Sequence, residues 1–150
     1  MKSHTKAFSE LSLDELYQIL ALRNEVFVVE QACAYQDMDG KDRISNHLFY
    51  TTDGNEIAAY ARILPPGISY PDVSIGRIVV ASKYRKDKLG RKLVTNAIAI
   101  CHACWPDESI TIGAQSYLST FYRSLGFEQV AEEYIEDGIP HIQMQLDRTH

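Results

Sequence analysis

The stretch from Val73 to Ala114 constrains the fold more than any other part of this chain. Val73 to Ala81 is nearly continuous in apolar and β-branched residues, as expected of a strand covered on both faces in the middle of a sheet. It empties into Arg85-Lys86-Asp87-Lys88-Leu89-Gly90-Arg91. From there Leu89, Leu93, Ala97, Ile100 and Cys104 recur at helical intervals until Pro106 forbids continuation. Ser109 to Ala114 supplies another short strand, and strand, helix and strand at this length imply a parallel pair with a right-handed crossover.

The flanking segments read less regularly. Ser12 to Glu15 forms a capping box, and Leu13, Leu16, Ile19, Leu20, Val26 and Phe27 follow at helical spacing, so a long helix is expected from near Leu13 to before Cys33. Ala34 to Asn46, broken by Asp37, Asp39, Gly40 and Asp42, reads as an irregular loop and a candidate substrate lid. His47 to Thr52 and Ile57 to Leu64 flank Asp53-Gly54, a dipeptide suited to a hairpin turn. Further on, a short helix carrying Leu118, Phe121, Tyr122 and Leu125 is closed by Gly126, and a terminal hairpin of Glu128 to Ile135 and Ile139 to Leu146 straddles Asp137-Gly138. The sum is an α+β architecture, a mixed sheet of six or seven strands with helices on its faces.

At 150 residues and 45% hydrophobic content the chain suits one domain. Its 20 acidic residues outnumber 15 basic ones, and a net charge of -5 repels phosphate backbones and anionic lipid, so neither nucleic acid nor membrane is an expected partner. No apolar run approaches the roughly 20 residues that span a bilayer. The first ten residues lack a signal-like apolar segment, and a cytoplasmic location is expected. Three cysteines, Cys33, Cys101 and Cys104, argue for free thiols. Cys101-x-x-Cys104 lies inside a predicted helix without a second pair, and the Asp37-Asp39-Asp42 run lacks calcium-loop spacing, so no metal is expected.

The chemistry concentrates between Ile78 and Leu93. A helix start prefers anions, because its first N–H groups are unpaired and the macrodipole is positive there. The cations of Lys83 to Lys92 cluster at that unfavourable place, which makes sense if a phosphate binds among the helix amides. The ordinary alternative is a solvated basic face. Gly90 would let the ligand approach, while Arg85, Lys86, Lys88 and Arg91 add charge.

Val79-Val80 followed by Arg85-x-x-x-x-Gly90 resembles the acetyl-CoA motif of the GNAT N-acetyltransferase superfamily, with Lys88 where the first glycine is usual. Phe121-Tyr122-Arg123-Ser124-Leu125-Gly126-Phe127 is similar to the F-Y-x-x-x-G-F segment of that superfamily. The phrases Leu22 to Gln31, Asn46-His47-Leu48, Gly113-Ala114-Gln115 and Asp137 to Ile142 resemble its ElaA-like branch.

The resemblance implies a GNAT fold whose mixed, largely antiparallel sheet holds a central parallel pair and carries helices on both faces. It implies transfer from acetyl-CoA, a co-substrate, to a primary amine of a small molecule or peptide. The pantetheine arm would lie along Ile78, Val79 and Val80, and Arg85, Lys86, Asp87, Lys88, Leu89, Gly90 and Arg91 would hold the pyrophosphate. Tyr122 aligns with the tyrosine that protonates the departing thiolate, and Glu30, His47 and His141 are candidates for the base. Glu25, Glu30 and His141 are candidates for holding the acceptor, the two glutamates favouring a cationic amine. The rival expectations are a non-catalytic acyl-CoA-binding or sensing module and a bare interaction scaffold. Edge strands of such sheets pair readily, so a homodimer is a further expectation.

Overall fold

The computed structural model describes residues 1–148. Eight strands form one sheet: β1 (Lys2–Ala7), β2 (Asn46–Thr51), β3 (Ile57–Leu64), β4 (Val73–Val80), β5 (Ile110–Gln115), β6 (Glu128–Gln129), β7 (Tyr134–Glu136) and β8 (Ile139–Leu146). Their order is β1-β2-β3-β4-β5-β8-β6, with β7 also on β8. Every pairing is antiparallel except β4 with β5, which the 16-residue helix α2 (Leu89–Cys104) connects. The mixed sheet with its central parallel pair is the architecture that the spacing of strand, helix and strand implied. Strand β1 was not anticipated, because Lys2 to Ala7 alternates too weakly to stand out from an exposed terminus.

Two apolar layers cover the sheet. On one face the helix α1 (Leu13–Arg23), capped by Ser12, packs Ile19 and Leu22 against Phe49, Tyr60 and Val79. On the other, Leu93, Val94, Ala97 and Cys101 of α2 meet Leu48, Ala59, Ile63, Ile112 and Met144, joined by Tyr122 and Phe127 beside the short helix α3 (Ser119–Ser124). All eight residues of β3 are buried between these layers, which is why that segment is apolar throughout except for Tyr60 and Arg62.

Three local expectations are corrected. The long first helix is not uniform: after Arg23 it widens at Asn24–Glu30 into i+5 bonding, seen in Gln31 N–H to Val26 O at 3.1 Å and Cys33 N–H to Val28 O at 3.0 Å. In the β2–β3 turn the left-handed residue is Asn55 (φ 63°), not Asp53 or Gly54. Thr52 N–H donates to Glu56 O at 2.9 Å, so the loop is longer by one residue than a two-residue hairpin, and asparagine tolerates the conformation. The loop from Ala34 to Asn46 is irregular as expected, yet it is pinned. Arg23, wholly buried, binds Asp37 at 2.7 Å and Asp42 at 2.8 Å, Arg62 binds Asp39 at 2.7 Å, and Arg77 binds Asp37 at 2.7 Å. Three carboxylates facing three guanidiniums leave this loop little freedom to act as a swinging lid.

Candidate active site

Strands β4 and β5 pair only at Val73–Ile110 and Ser74–Thr111. Beyond these positions β4 stays with β3 and β5 with β8, so the two strands diverge and expose facing backbone edges. A bulge in β4 enlarges the wedge: Tyr60 pairs Val79 and Arg62 pairs Gly76, so β4 carries one residue more than β3, and Arg77 lies at φ 50°. A non-glycine residue in that region costs about 1 kcal/mol or more. The Arg77 guanidinium offsets it through Asp37, donating to its carboxylate at 2.7 Å and its carbonyl at 2.8 Å.

The wedge opens into a cleft of about 910 Å³, with Ile78, Val79 and Val80 on one wall and Gly113, Ala114 and Gln115 on the other. Its mouth meets the start of α2. Lys88 precedes that helix at φ 56°, ψ 26° and gives no side-chain cap, so the first amides of a 16-residue helix stay unpaired toward the cleft end. A Cβ on Gly90 would meet only Val80 Cγ2, at 3.8 Å. Nothing in the protein itself therefore requires glycine there, although glycine costs a helix about 1 kcal/mol relative to alanine; room for a ligand is a physical reason for it.

Of the residues expected to hold phosphate, Arg85 and Gly90 line the cleft. Lys86, Asp87 and Lys88 are exposed on the outside of the turn, Leu89 is buried under it, and Arg91 donates to Ser124 Oγ at 3.1 Å. Arg85 bonds Glu30 at 2.8 and 3.1 Å, and its Nε donates to the Val80 carbonyl at 3.0 Å. Glu56, which binds Lys83 at 2.9 Å and accepts from Tyr84 at 2.6 Å, fixes the turn against the β2–β3 loop.

Tyr122 lines the cleft at 5% exposure, wedged between Phe121 and Phe127 at ring distances of 5.1 and 5.9 Å. Its hydroxyl bonds no described residue, and burial pushes its pKa well up, so it remains a neutral phenol. His141, 8% exposed, also lines the cleft. The Ile139 carbonyl lies 2.7 Å from His141 Nδ1 and accepts a hydrogen bond from it, which leaves Nε2 as the ring nitrogen open to the cleft. Tyr134 stacks on that ring at 5.7 Å.

His47 does not belong to the site. It is 1% exposed, with Nδ1 2.7 Å from Tyr60 Oη and Nε2 2.8 Å from the Asp42 carbonyl, and burial pushes its pKa down. Both nitrogens are committed to holding β2, β3 and the acidic loop together, which removes it as a base. Glu25 is exposed and stands outside the cleft lining, so its expected acceptor role is likewise corrected; it sits on the outer face of the wide helical turn. Glu30 does line the cleft.

Several lining residues carried no assigned role in the sequence. Gln31 and Gln115 bridge the cleft with reciprocal hydrogen bonds of 3.3 Å between their side-chain amides. A Cβ built on Gly113 would lie 2.7 Å from the Tyr134 hydroxyl and 2.9 Å from that of Tyr70, so only glycine admits these two phenols to the β5 backbone. A glycine inside a strand is the signal that could have found them. Cys101 of the C-x-x-C is buried in α2, its thiol pushed up to about 12, while Cys104 is exposed.

Comparison with known proteins places this geometry in context. The family model "Acetyltransferase (GNAT) domain" matches residues 8–148. Protein ElaA of Escherichia coli (strain K12) is 46% identical over 137 residues, covering 91% of this chain and 90% of that protein. The crystal structure of Escherichia coli ElaA superimposes with a TM-score of 0.91 at 42% identity, covering 97% of this chain and 99% of that one. An acyl-CoA N-acyltransferase from Pseudomonas aeruginosa superimposes with a TM-score of 0.90 at 40% identity and the same coverage.

Proposed function

The chain belongs to the GNAT acetyltransferase family, and from that premise we propose that it moves an acetyl group from acetyl-CoA to a primary amine by direct transfer. The observation that carries this reading is the divergence of β4 from β5 toward the unpaired amides of α2, because it sets strand edges and an anion-binding helix end along one path. The residues present fit the co-substrate: the cleft-facing main-chain edge of Ile78 to Val80, its Val80 carbonyl held by Arg85, suits a pantetheine amide, and Gly90 leaves room for pyrophosphate. Bound acetyl-CoA supplies an acyl carbon activated by its thioester.

Around that carbon the chain positions donors and acceptors. An amide of β4 near Val79 polarises the acyl oxygen by a preorganised dipole. His141 Nε2, with Nδ1–H fixed on Ile139 O, accepts the proton that the amine must lose. Tyr122 gives its hydroxyl proton to the leaving sulfur as the carbon–sulfur bond breaks and regains one from solvent or from His141. Glu30 serves by holding Arg85 at the cleft mouth.

The test is calorimetric titration of acetyl-CoA, followed by thiol release on a panel of amines. Micromolar binding with turnover supports the reading. Binding without turnover on any amine points to an acyl-CoA-binding module, and absence of binding sinks both.

A further inference from the structure

The far end of the cleft, away from α2, carries an arrangement in which acceptors predominate, the Tyr70 and Tyr134 hydroxyls sharing one hydrogen bond. His141, nine-tenths buried, has no hydrogen bond to Nε2 from any described residue; that nitrogen faces the Glu136 carboxylate at 3.8 Å. The Tyr70 and Tyr134 hydroxyls converge beside it over Gly113, a position closed to any side chain. A lone pair, two phenol oxygens and a carboxylate suit a group rich in N–H.

Charge on the two walls separates the choices further. On the inner wall Arg62, Arg77 and Arg85 are each matched by carboxylates, and Lys41 is held by Ser69 at 2.9 Å. On the outer wall, the β7–β8 hairpin lines the cleft with Glu136 and Asp137 and with no lysine or arginine. Neither has an ion pair to lysine or arginine among the described residues, and Glu136 is 59% exposed. The unmatched field at the outer rim is therefore negative, and it draws a cation bearing more than the single charge that the reaction consumes.

We propose that the acceptor is a diamine or longer oligoamine, its leading nitrogen received by His141 Nε2 and the Tyr70 and Tyr134 hydroxyls, and its remaining positive charge by Glu136 and the acidic rim. This rests on the transferase reading above and names the substrate class of the same site. Lys41 is the one feature of the lining that favours an acidic acceptor, so the probes must set the two against each other.

Three four-carbon amines do so: butane-1,4-diamine, butan-1-amine and 4-aminobutanoate, titrated calorimetrically into the protein with and without coenzyme A and then assayed for turnover with acetyl-CoA. The diamine should bind at least tenfold more tightly than the monoamine and lead in kcat/KM. Glu136→Gln should reduce that preference severalfold while leaving coenzyme A affinity in place, and Gly113→Ala should weaken the diamine. Equal binding of the diamine and monoamine with coenzyme A bound, preference for 4-aminobutanoate, or an undiminished preference in Glu136→Gln overturns this inference alone. Failure of coenzyme A to bind the parent protein overturns the transferase reading and this inference with it.

Discussion

Arg85 and Glu30 form a two-pronged ion pair, 2.8 and 3.1 Å, across the mouth of the cleft, and the same guanidinium donates to the Val80 carbonyl at 3.0 Å. In the proposed mode of binding, the arginine thus occupies a main-chain acceptor that an incoming pantetheine would meet. Both partners are about two-fifths exposed, so the pair contributes about 1 kcal/mol at most. Glu30→Gln releases Arg85 for phosphate, and coenzyme A affinity should rise by about two- to fivefold with kcat little changed. A loss of kcat at unchanged affinity would return Glu30 to a catalytic role.

Lys88 adopts φ 56° where a glycine carries no Cβ penalty. Lys88→Gly should raise stability by about 1 kcal/mol, seen as a melting temperature higher by about 2–4 °C. An unchanged or lower temperature would mean that the lysine side chain supports the turn.

Tyr122→Phe keeps the packing against Phe121 and Phe127 and removes only the hydroxyl. Turnover should fall by about a hundredfold to ten-thousandfold while coenzyme A affinity stays within about twofold. Because burial holds the phenol protonated far above neutrality, no limb of the pH–rate profile between pH 6 and 9 should move with this variant. Turnover near the parent level would leave Tyr122 a packing residue.

Burial tends to raise the Asp42 carboxyl, but hydrogen bonds from Arg23 and Arg62 overcome it and hold the pKa below the usual range. Stability from this lowered group is fully present above about pH 4 and is lost as pH falls through its folded-state value. Asp42→Asn leaves Arg23 with a broken pair and should cost about 3–5 kcal/mol at pH 7, with a shallower acid limb in urea unfolding. A cost below about 1 kcal/mol would show that Asp37 alone satisfies Arg23.

His47 is neutral and buried, with its pKa pushed down, so its contribution to stability is complete above about pH 6.5 and declines as the unfolded chain protonates below that. His47→Gln should destabilise by about 1–3 kcal/mol, the cost of a disturbed buried hydrogen bond, and leave kcat/KM of the folded fraction unchanged. A fall in kcat/KM without a fall in stability would restore His47 as a base.

The fold was legible because its signals are local. A largely apolar, β-branched β4, Pro106 at the end of α2, Gly126 at the end of α3 and Asp137-Gly138 between β7 and β8 each act on their own few residues, and each appears where its chemistry requires. The cation cluster at the start of α2 was legible for the same reason, since cations at a helix start are themselves an anomaly. Which of those cations face the cleft was not: Lys86 and Lys88 point to solvent while Arg85 turns inward, a choice made by Glu30, 55 positions away.

By itself the sequence determined the strand, turn and helix at the centre of the protein and the parallel pair that follows. Backbone propensity and hydrophobic period act over a few residues and leave a mark in the text of the chain. Only the tertiary structure decided that His47 is a strut and His141 a free lone pair, because each imidazole is defined by the groups within 3 Å of its two nitrogens. Those neighbours are set by sheet register and loop anchoring, which no spacing between two histidines records.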